Sequence, residues 1–199
     1  MSSAYELEDD DFTYEDILKL DDGVRAEIID GVLYMMSPPG ASHQRILMRL
    51  ANIFYNFLEG KTCEAFIAPF GVRLFPKPDK SDRTYLEPDL IVVCDPKKIS
   101  EEGCEGAPDL IIEVLSPSNR RRGLLEKYNL YLKAKVKEYW VIYPKERVVE
   151  VNLYKNDRYF AQDYGFNEPG IKERDRVPET IPVSVLPGFE INVKDIFKN

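Results

Sequence analysis

Three acidic residues interrupt apolar runs of this sequence, where a charged side chain is costly to bury. Asp89 precedes Leu-Ile-Val-Val, Glu113 lies inside Leu-Ile-Ile-Glu-Val-Leu, and Glu27 lies inside Ala-Glu-Ile-Ile. A buried carboxylate needs a hydrogen bond, an opposite charge or a metal ion. Carboxylate oxygens are ligands of Mg²⁺, and a bound metal can activate water for attack on a phosphodiester. The pattern therefore predicts a divalent-metal site for phosphodiester hydrolysis.

The strands that carry Asp89 and Glu113 can pair so that the two carboxylates face each other. If residues 94–108 close a symmetric antiparallel pair, opposed residue numbers sum to 202, and Asp89 is opposite Glu113. Opposed Cβ atoms are about 4.5–5.5 Å apart, so a shared dication would relieve the repulsion between the two charges. A slip of one residue would separate them. The alternatives are that Asp89 is a turn residue after its proline and that Glu113 pairs with a nearby Lys or Arg.

A predicted helix over about residues 120–135 brings a lysine toward the same place. Lys127 lies at the edge of the apolar stripe of this helix, whereas Lys133 lies on the opposite face. Lys127 can therefore reach toward Glu113, where it would orient the attacking water or stabilise developing negative charge. A lysine whose methylene chain covers the border of the core is the alternative. The stripe consists of Leu124, Leu125, Tyr128, Tyr131 and Leu132.

Two further groups of residues are candidate nucleic-acid contacts. Arg120, Arg121 and Arg122 begin the same helix, where cations oppose the helix dipole and a bound phosphate would compensate them. An acidic segment elsewhere in the chain would compensate these arginines equally well. His43 and Gln44 follow Ser42, which can cap a helix to about residue 59. The alternatives for His43 are helix capping and plain exposure, and a single histidine excludes a His-rich metal site.

The order of apolar patterns predicts an α/β (α+β) fold, with a central mixed sheet flanked by helices and additional antiparallel hairpins. Asp30-Gly31 predicts a two-residue turn between strands over 24–29 and 32–36. No interdomain linker or internal repeat is evident. We therefore expect residues 1–199 to form a single domain with an acidic, flexible arm over residues 1–11.

Composition and charge limit the expected location of the protein and its expected partners. No apolar run is long enough to cross a membrane, and the acidic N-terminal segment is unlike a signal peptide. The three cysteines lack zinc-site spacing, so we expect free thiols in a reducing cytoplasm and no membrane partner. The net charge of −8 argues against general nucleic-acid binding. Residues 119–138 nevertheless carry seven bases and two acids, a basic strip that can contact DNA.

Taken in order, these motifs resemble the PD-(D/E)xK nuclease superfamily, and more closely a widespread bacterial family of restriction-endonuclease-like proteins of unknown function. The motifs that carry the resemblance are Glu27-Ile-Ile-Asp-Gly31, Ser42-His43-Gln44, Glu87-Pro-Asp89, Pro108-Asp-Leu-Ile-Ile-Glu113-Val-Leu-Ser-Pro117, Lys127 with Tyr131, and Glu138-Tyr-Trp140.

The resemblance implies a restriction-endonuclease-like core and a Mg²⁺-dependent site. We therefore expect a Mg²⁺-dependent DNA endonuclease, with Mn²⁺ as a substitute metal and a homodimer as one assembly. Asp89 and Glu113 match the metal-binding positions, Glu27 matches an early glutamate, and Lys127 matches a lysine displaced onto the following helix. Gly123 stands where the family often has aspartate, and Lys135 where it often has glycine. The alternative function is a catalytically inactive module of this fold that binds nucleic acid or protein.

Overall fold

The computed structural model describes residues 6–7, 11–116, 121–167, 171–173 and 176–198. Its helices are α1 (Tyr14–Ile17), α2 (Ala41–Leu58), α3 (Arg121–Lys133) and α4 (Val193–Ile196), with a 3₁₀ turn over Pro96–Lys98. Its strands are β1 (Glu6–Leu7), β2 (Ala26–Ile29), β3 (Val32–Met35), β4 (Glu64–Ile67), β5 (Val72–Arg73), β6 (Leu90–Val93), β7 (Ile99–Ser100), β8 (Gly103–Glu105), β9 (Leu110–Val114), β10 (Glu138–Tyr143), β11 (Val148–Lys155), β12 (Arg158–Gly165), β13 (Thr180–Pro182) and β14 (Glu190–Asn192). No helix in these ranges is long and apolar enough to cross a membrane.

A six-stranded sheet, ordered β12-β11-β10-β9-β6-β4, forms the centre of the fold. Strands β9 and β10 are parallel, because α3 connects them, and all other neighbours are antiparallel. Residues of α2 and α4 pack with one apolar cluster of the sheet, and residues of α3 pack with the other. The predicted class, a mixed sheet flanked by helices with additional antiparallel hairpins, is confirmed.

Strands β6 and β9 read as continuous apolar runs because both of their faces are buried. Alternate residues of each strand belong to different clusters: Leu90 and Ile112 pack on the α2 side, whereas Ile91 and Ile111 pack on the α3 side. Since side chains alternate along a strand, Glu113 projects to the α3 side, where Lys127 meets it. Asp89 lies just before β6, and its carboxylate contacts His43 of α2.

The predicted register of β6 and β9 is confirmed. Leu90 pairs with Ile112, and Val92 pairs with Leu110, so that opposed residue numbers sum to 202. Continued one step outward from the Leu90–Ile112 pair, this register sets Asp89, the residue before β6, opposite Glu113. The loop that closes the pair contains β7 and β8, which the sequence did not predict because each is only two or three residues long.

The Asp30-Gly31 turn is also confirmed, and it joins β2 to β3 in a separate three-stranded sheet. Both turn residues have positive φ, 50° for Asp30 and 93° for Gly31, as this tight hairpin requires. Residues 6–7, predicted to lie in a flexible arm, instead pair with β3 as strand β1. The edge of this sheet offers backbone groups that an extended arm can satisfy.

The prediction that all cysteines are free thiols is wrong for two of them. Cys63 and Cys94 form a disulfide, while Cys104 is free and buried. The cause is the pairing of β4 with β6: Glu64 is opposite Val93, so the next residues outward, Cys63 and Cys94, also face each other. Sequence spacing cannot reveal such a contact, because the bridging residues are 31 positions apart.

Thiol counting tests this bridge. We expect the denatured, unreduced chain to take up one alkyl group, on Cys104, and the reduced chain to take up three. Because the bridge closes a loop of 31 positions, its removal in Cys63→Ser/Cys94→Ser should lower the free energy of unfolding by about 3 kcal/mol. Three reactive thiols in the unreduced chain would contradict the bridge, and Cys104→Ser is the control for single-thiol labelling.

Helix α3 ends in a Schellman motif whose central residue is Lys135. The Lys135 amide donates to the Leu132 carbonyl at 3.0 Å, and the Val136 amide donates to the Tyr131 carbonyl at 3.0 Å. Lys135 has a φ of 59°, in the left-handed region where glycine is preferred. The turn therefore explains why the resembling family often has glycine here.

Lys135→Gly should raise the free energy of unfolding by about 1 kcal/mol, because it removes the steric cost of a Cβ in this conformation. Lys135→Ala is the matched control: it also removes the exposed ion pair with Asp157, 3.5 Å away, but keeps the Cβ. Urea unfolding of both variants separates the two effects. Equal stability of the glycine and alanine variants would show that the backbone conformation is not the cause.

Candidate active site

Lys127 joins two of the predicted acids in one buried cluster. Its Nζ atom lies 2.7 Å from Glu27 Oε1 and 2.9 Å from Glu113 Oε1. The Tyr131 hydroxyl, one helical turn farther along α3, donates to the same Glu113 oxygen at 2.7 Å. The side chain of Lys127 is 14% exposed and those of both glutamates are 8% exposed. Three separate elements, β2, β9 and α3, therefore meet at a single ammonium group.

Glu27 reaches this position because β2 is attached to the segment that precedes β6. Ile28 and Tyr85 exchange two backbone hydrogen bonds, at 2.7 and 2.9 Å. Glu27 Oε1 then accepts a third, from the amide of Glu87 at 2.9 Å. The Asp-Gly hairpin thus places an acid against the strand that carries Asp89, far away in sequence.

Asp89 is held by a backbone group and by a histidine. Its Oδ2 atom accepts a 2.7 Å hydrogen bond from the amide of Val114 and lies 3.0 Å from His43 Nε2. His43, in the first turn of α2, is buried, and its Nδ1 atom has no hydrogen-bond partner among the described residues. The sequence offered His43 as a nucleic-acid contact; the structure places it against Asp89.

A second Pro-Asp pair makes the same backbone contact at the opposite end of the β6–β9 ladder. Asp109 Oδ2 accepts from the amide of Cys94 at 2.8 Å, as Asp89 does from Val114. The side chain of Asp89 thereby attaches to the end of β9, and that of Asp109 attaches to the residue after β6. Asp109 pairs with the exposed Lys137 at 2.6 Å. Asp89 instead adjoins Glu113 and His43, which gives it a chemical setting that Asp109 lacks.

An arginine and a further glutamate extend the cluster, and the sequence reasoning did not select them. Arg25 Nε and Nη2 each lie 2.7 Å from Glu87 Oε2. The signal for Arg25 was its position two residues before Glu27, which puts both side chains on one face of the strand. For Glu87, the signal was its place two residues before Asp89. We call these residues and their hydrogen-bonded or charged neighbours the site cluster. Its eight members are Arg25, Glu27, His43, Glu87, Asp89, Glu113, Lys127 and Tyr131.

Burial controls the ionisation of the cluster. Burial raises the pKa of Glu113 to about 7, and the charges of Asp89 and Glu27 add to this, whereas Lys127 and the Tyr131 hydrogen bond oppose it. Burial alone would lower the pKa of Lys127, but the carboxylates of Glu113 and Glu27 outweigh it and raise that pKa. Lys127 is therefore a cation throughout the physiological range, whereas Glu113 can change its protonation state near neutral pH.

Two neighbouring groups have shifted pKa values as well. Burial would lower the pKa of His43, but the hydrogen bond and charge of Asp89 outweigh it and raise that pKa, while the charge of Arg25 acts against protonation. Burial and the charge of Glu113 raise the pKa of Tyr131 well above its ordinary value. Tyr131 thus stays a neutral hydrogen-bond donor to Glu113.

The donor chemistry of the acids suits a hard dication. Asp89 Oδ1, Glu113 Oε2 and Glu27 Oε2 accept no hydrogen bond from the described part of the chain, and oxygen ligands are those that Mg²⁺ prefers. Within that part, no group of three or more His, Cys, Asp or Glu side chains is arranged to hold a metal ion. A two-carboxylate set completed by water is therefore the arrangement these residues support, since Mg²⁺ keeps several waters.

The remaining predicted contacts fall outside this cluster. Gln44 is exposed on α2, and its contact with nucleic acid stays a prediction. Arg120 and the side chains of Arg121 and Arg122 lie outside the described residues. Lys133 is exposed, as expected, but Leu125, predicted to lie on the apolar stripe of α3, is 62% exposed. Leu130, which was not among the residues predicted to form the stripe, is buried instead.

The Glu138-Tyr-Trp140 motif has a structural role away from the cluster. Glu138 is fully buried; one of its oxygens accepts from Trp140 Nε1 at 2.8 Å, and the other accepts from the amide of Val185 at 3.0 Å. It attaches the segment after β13 to the α2 side of the sheet. Hydrogen bonds to both oxygens satisfy this buried carboxylate without a metal.

Comparison with known proteins supports the same assignment of fold and family. Residues 13–194 match the sequence profile of Uma2, described as "Putative restriction endonuclease". An uncharacterized protein of Synechocystis sp. PCC 6803, slr1290, is 31% identical over 133 residues, which span 66% of this chain and 66% of that protein. A putative nuclease belonging to DUF820 from Anabaena variabilis ATCC 29413 has a crystal structure that matches with a TM-score of 0.70 and 22% identity, covering 94% of this chain and 97% of that one. The latter likeness shows the fold.

The raised pKa of Glu113 makes stability depend on pH in a defined direction. Between its ordinary value of 4.5 and about 7, the folded chain keeps a proton that the unfolded chain has lost, so raising the pH favours unfolding. With a chelator present, the wild type should lose about 3 kcal/mol relative to Glu113→Gln between pH 4.5 and 8, as measured by urea unfolding. Glu64→Gln, on the exposed edge strand, should leave the wild-type profile unchanged. Parallel profiles for wild type and Glu113→Gln would contradict this assignment.

Proposed function

Because this chain belongs to the Uma2 family, described as putative restriction endonucleases, we propose that it is a Mg²⁺-dependent endonuclease that hydrolyses DNA phosphodiester bonds. The observation that carries the proposal is the meeting of Lys127 with Glu27 and Glu113, beside an aspartate opposed to Glu113. Family membership supports a nuclease role, and the cluster supplies the residue types that metal-assisted hydrolysis requires.

Asp89 and Glu113 would hold the metal through the two oxygens that accept no hydrogen bond from the described residues. A bound Mg²⁺ would supply Lewis acidity toward a phosphate oxygen and acidify a coordinated water. The protein orients both ligands before any metal arrives: the Val114 amide and His43 hold Asp89 Oδ2, while Lys127 and Tyr131 hold Glu113 Oε1. Such fixed partners keep ligand oxygens in place and contribute to metal affinity.

Lys127 has a role that its protonation state defines. An ammonium group has three N–H donors, and two of them are directed at Glu27 and Glu113. The third can orient the attacking water or stabilise the charge that develops on the phosphate. Glu27 accepts hydrogen bonds from both Lys127 and the Glu87 amide. It therefore fixes the ammonium group of Lys127 against the segment that precedes β6 and favours its protonated form.

The symmetry of the two Pro-Asp pairs provides a matched test. In the presence of Mg²⁺ or Mn²⁺, the purified chain should cleave plasmid or linear DNA, and Asp89→Asn and Glu113→Gln should each lower the rate at least about 10²-fold. Asp109→Asn removes the equivalent acid at the other end of the ladder and should retain cleavage. Mn²⁺ binding, followed by electron paramagnetic resonance, should be lost in Asp89→Asn and kept in Asp109→Asn.

Two results would overturn the proposal. The first is a folded wild type that cleaves neither DNA form with either metal, which would favour the alternative of an inactive module of this fold. The second is cleavage that persists in excess chelator, or that Asp109→Asn reduces as strongly as Asp89→Asn does. Circular dichroism of each variant establishes that the comparison is made between folded chains.

A further inference from the structure

From the contacts of Arg25, we infer that this residue is the anchor for a substrate phosphate beside the carboxylates, oriented for that task by Glu87. The inference rests on the proposed function and adds a substrate-binding residue to it. Arg25 immediately precedes β2, and its backbone carbonyl accepts from the amide of Met36 at 2.9 Å. Its side chain therefore starts from a fixed point of the hairpin sheet.

Glu87 fixes two nitrogens of the Arg25 guanidinium group, and the third has no partner among the described residues. Nε and Nη2 both contact Glu87 Oε2 at 2.7 Å, while Nη1 has no hydrogen-bond partner among the described residues. Glu87 is itself connected to the cluster, because its amide donates to Glu27 Oε1 at 2.9 Å. A planar guanidinium fixed along one edge presents its remaining N–H groups in the geometry that phosphate oxygens accept.

Exposure distinguishes Arg25 from the other cation of the site cluster. Its side chain is 29% exposed, compared with 14% for Lys127, whose N–H groups are largely committed to two glutamates. The charge of Arg25 also acts on His43, the residue in contact with Asp89. Arg25 is thus the more solvent-accessible of the two cations, and its partner Glu87 stands two residues before Asp89.

Charge balance explains why such an anchor is needed. When ionised, Glu27, Glu87, Asp89 and Glu113 face the cations Arg25 and Lys127, so these six groups have a net charge of −2, or −1 when His43 beside Asp89 is protonated as well. A dication would therefore leave at most one excess positive charge to attract the phosphodiester anion. Because Glu87 is less exposed than Arg25, the arginine meets an incoming phosphate before its partner carboxylate does.

A purely structural role, in which Arg25 only neutralises the buried Glu87, makes a different prediction. In that case, losing either partner would have the same consequence for DNA binding. If Arg25 is a phosphate anchor, Glu87→Gln keeps a side-chain oxygen that can accept from the guanidinium but removes a negative charge, so binding is kept or strengthened. The two roles therefore diverge in Glu87→Gln.

The test measures the dissociation constant of a labelled DNA duplex by fluorescence anisotropy over a series of KCl concentrations, with Ca²⁺ in place of Mg²⁺ to limit cleavage. For Arg25→Met, we expect binding about tenfold weaker at 0.1 M KCl and a salt slope lower by about 0.9, the loss of one phosphate contact. Arg25→Lys should keep the slope, and Glu87→Gln should bind at least as tightly as the wild type. Arg158→Met, on strand β12, is the control for loss of an exposed arginine elsewhere and should leave the slope unchanged.

The outcomes separate this inference from the proposed function. An unchanged slope in Arg25→Met, or equal weakening in Arg25→Met and Glu87→Gln, would overturn the anchor while leaving cleavage by the wild type intact. A wild type that binds DNA with the expected Arg25 dependence but never cleaves it would overturn the nuclease and support the anchor. A wild type with no affinity for DNA would overturn both. The doubly apolar Arg25→Met/Glu87→Met variant, which leaves no buried charge unpaired, provides the DNA-binding comparison if Arg25→Met does not fold.

Discussion

The arrangement of the site depends on one buried ammonium group between two carboxylates. Lys127 joins α3 to β9 through Glu113 and to the hairpin sheet through Glu27, so three elements from distant parts of the chain share one contact. Removing a single partner from such a buried pair leaves an uncompensated charge, which is why interactions of this kind fix relative positions strictly. The hairpin sheet is thereby held at the end of the central ladder, where Asp89 immediately precedes β6.

The paired Pro-Asp motifs show how a structural device and a chemical site can share one residue type. Asp89 and Asp109 make equivalent hydrogen bonds to the backbone of the opposite strand. At one end, the surface residue Lys137 neutralises Asp109. At the other end, Asp89 has no lysine partner among the described residues; His43 contacts it and Glu113 lies next to it. The acid of the site therefore has a place in the fold that does not depend on metal, and its carboxylate is already oriented before a ligand binds.

Much of this site follows from the sequence because its geometry is local or periodic. The register of β6 and β9 is the one expected if residues 94–108 close the pair symmetrically, and helical periodicity distinguishes Lys127 from Lys133. The contacts that were missed are tertiary. His43 meets Asp89, and Cys63 meets Cys94, across separations at which no pattern in the chain records proximity. The short strands β7, β8 and β14 are similarly defined by their partners rather than by propensity.

An acidic protein that acts on a polyanion must resolve its own electrostatic repulsion locally. Here the net charge of −8 is unevenly distributed, and the site cluster itself is negative. A dication between Asp89 and Glu113 and the half-buried Arg25 would address different parts of this problem. The metal would neutralise the carboxylates that hold it, whereas Arg25, positioned by Glu87, would remain available to the phosphate. In the proposed nuclease, the cluster would be acidic enough to bind a metal and would still accept an anionic substrate, because the two functions would use separate charges.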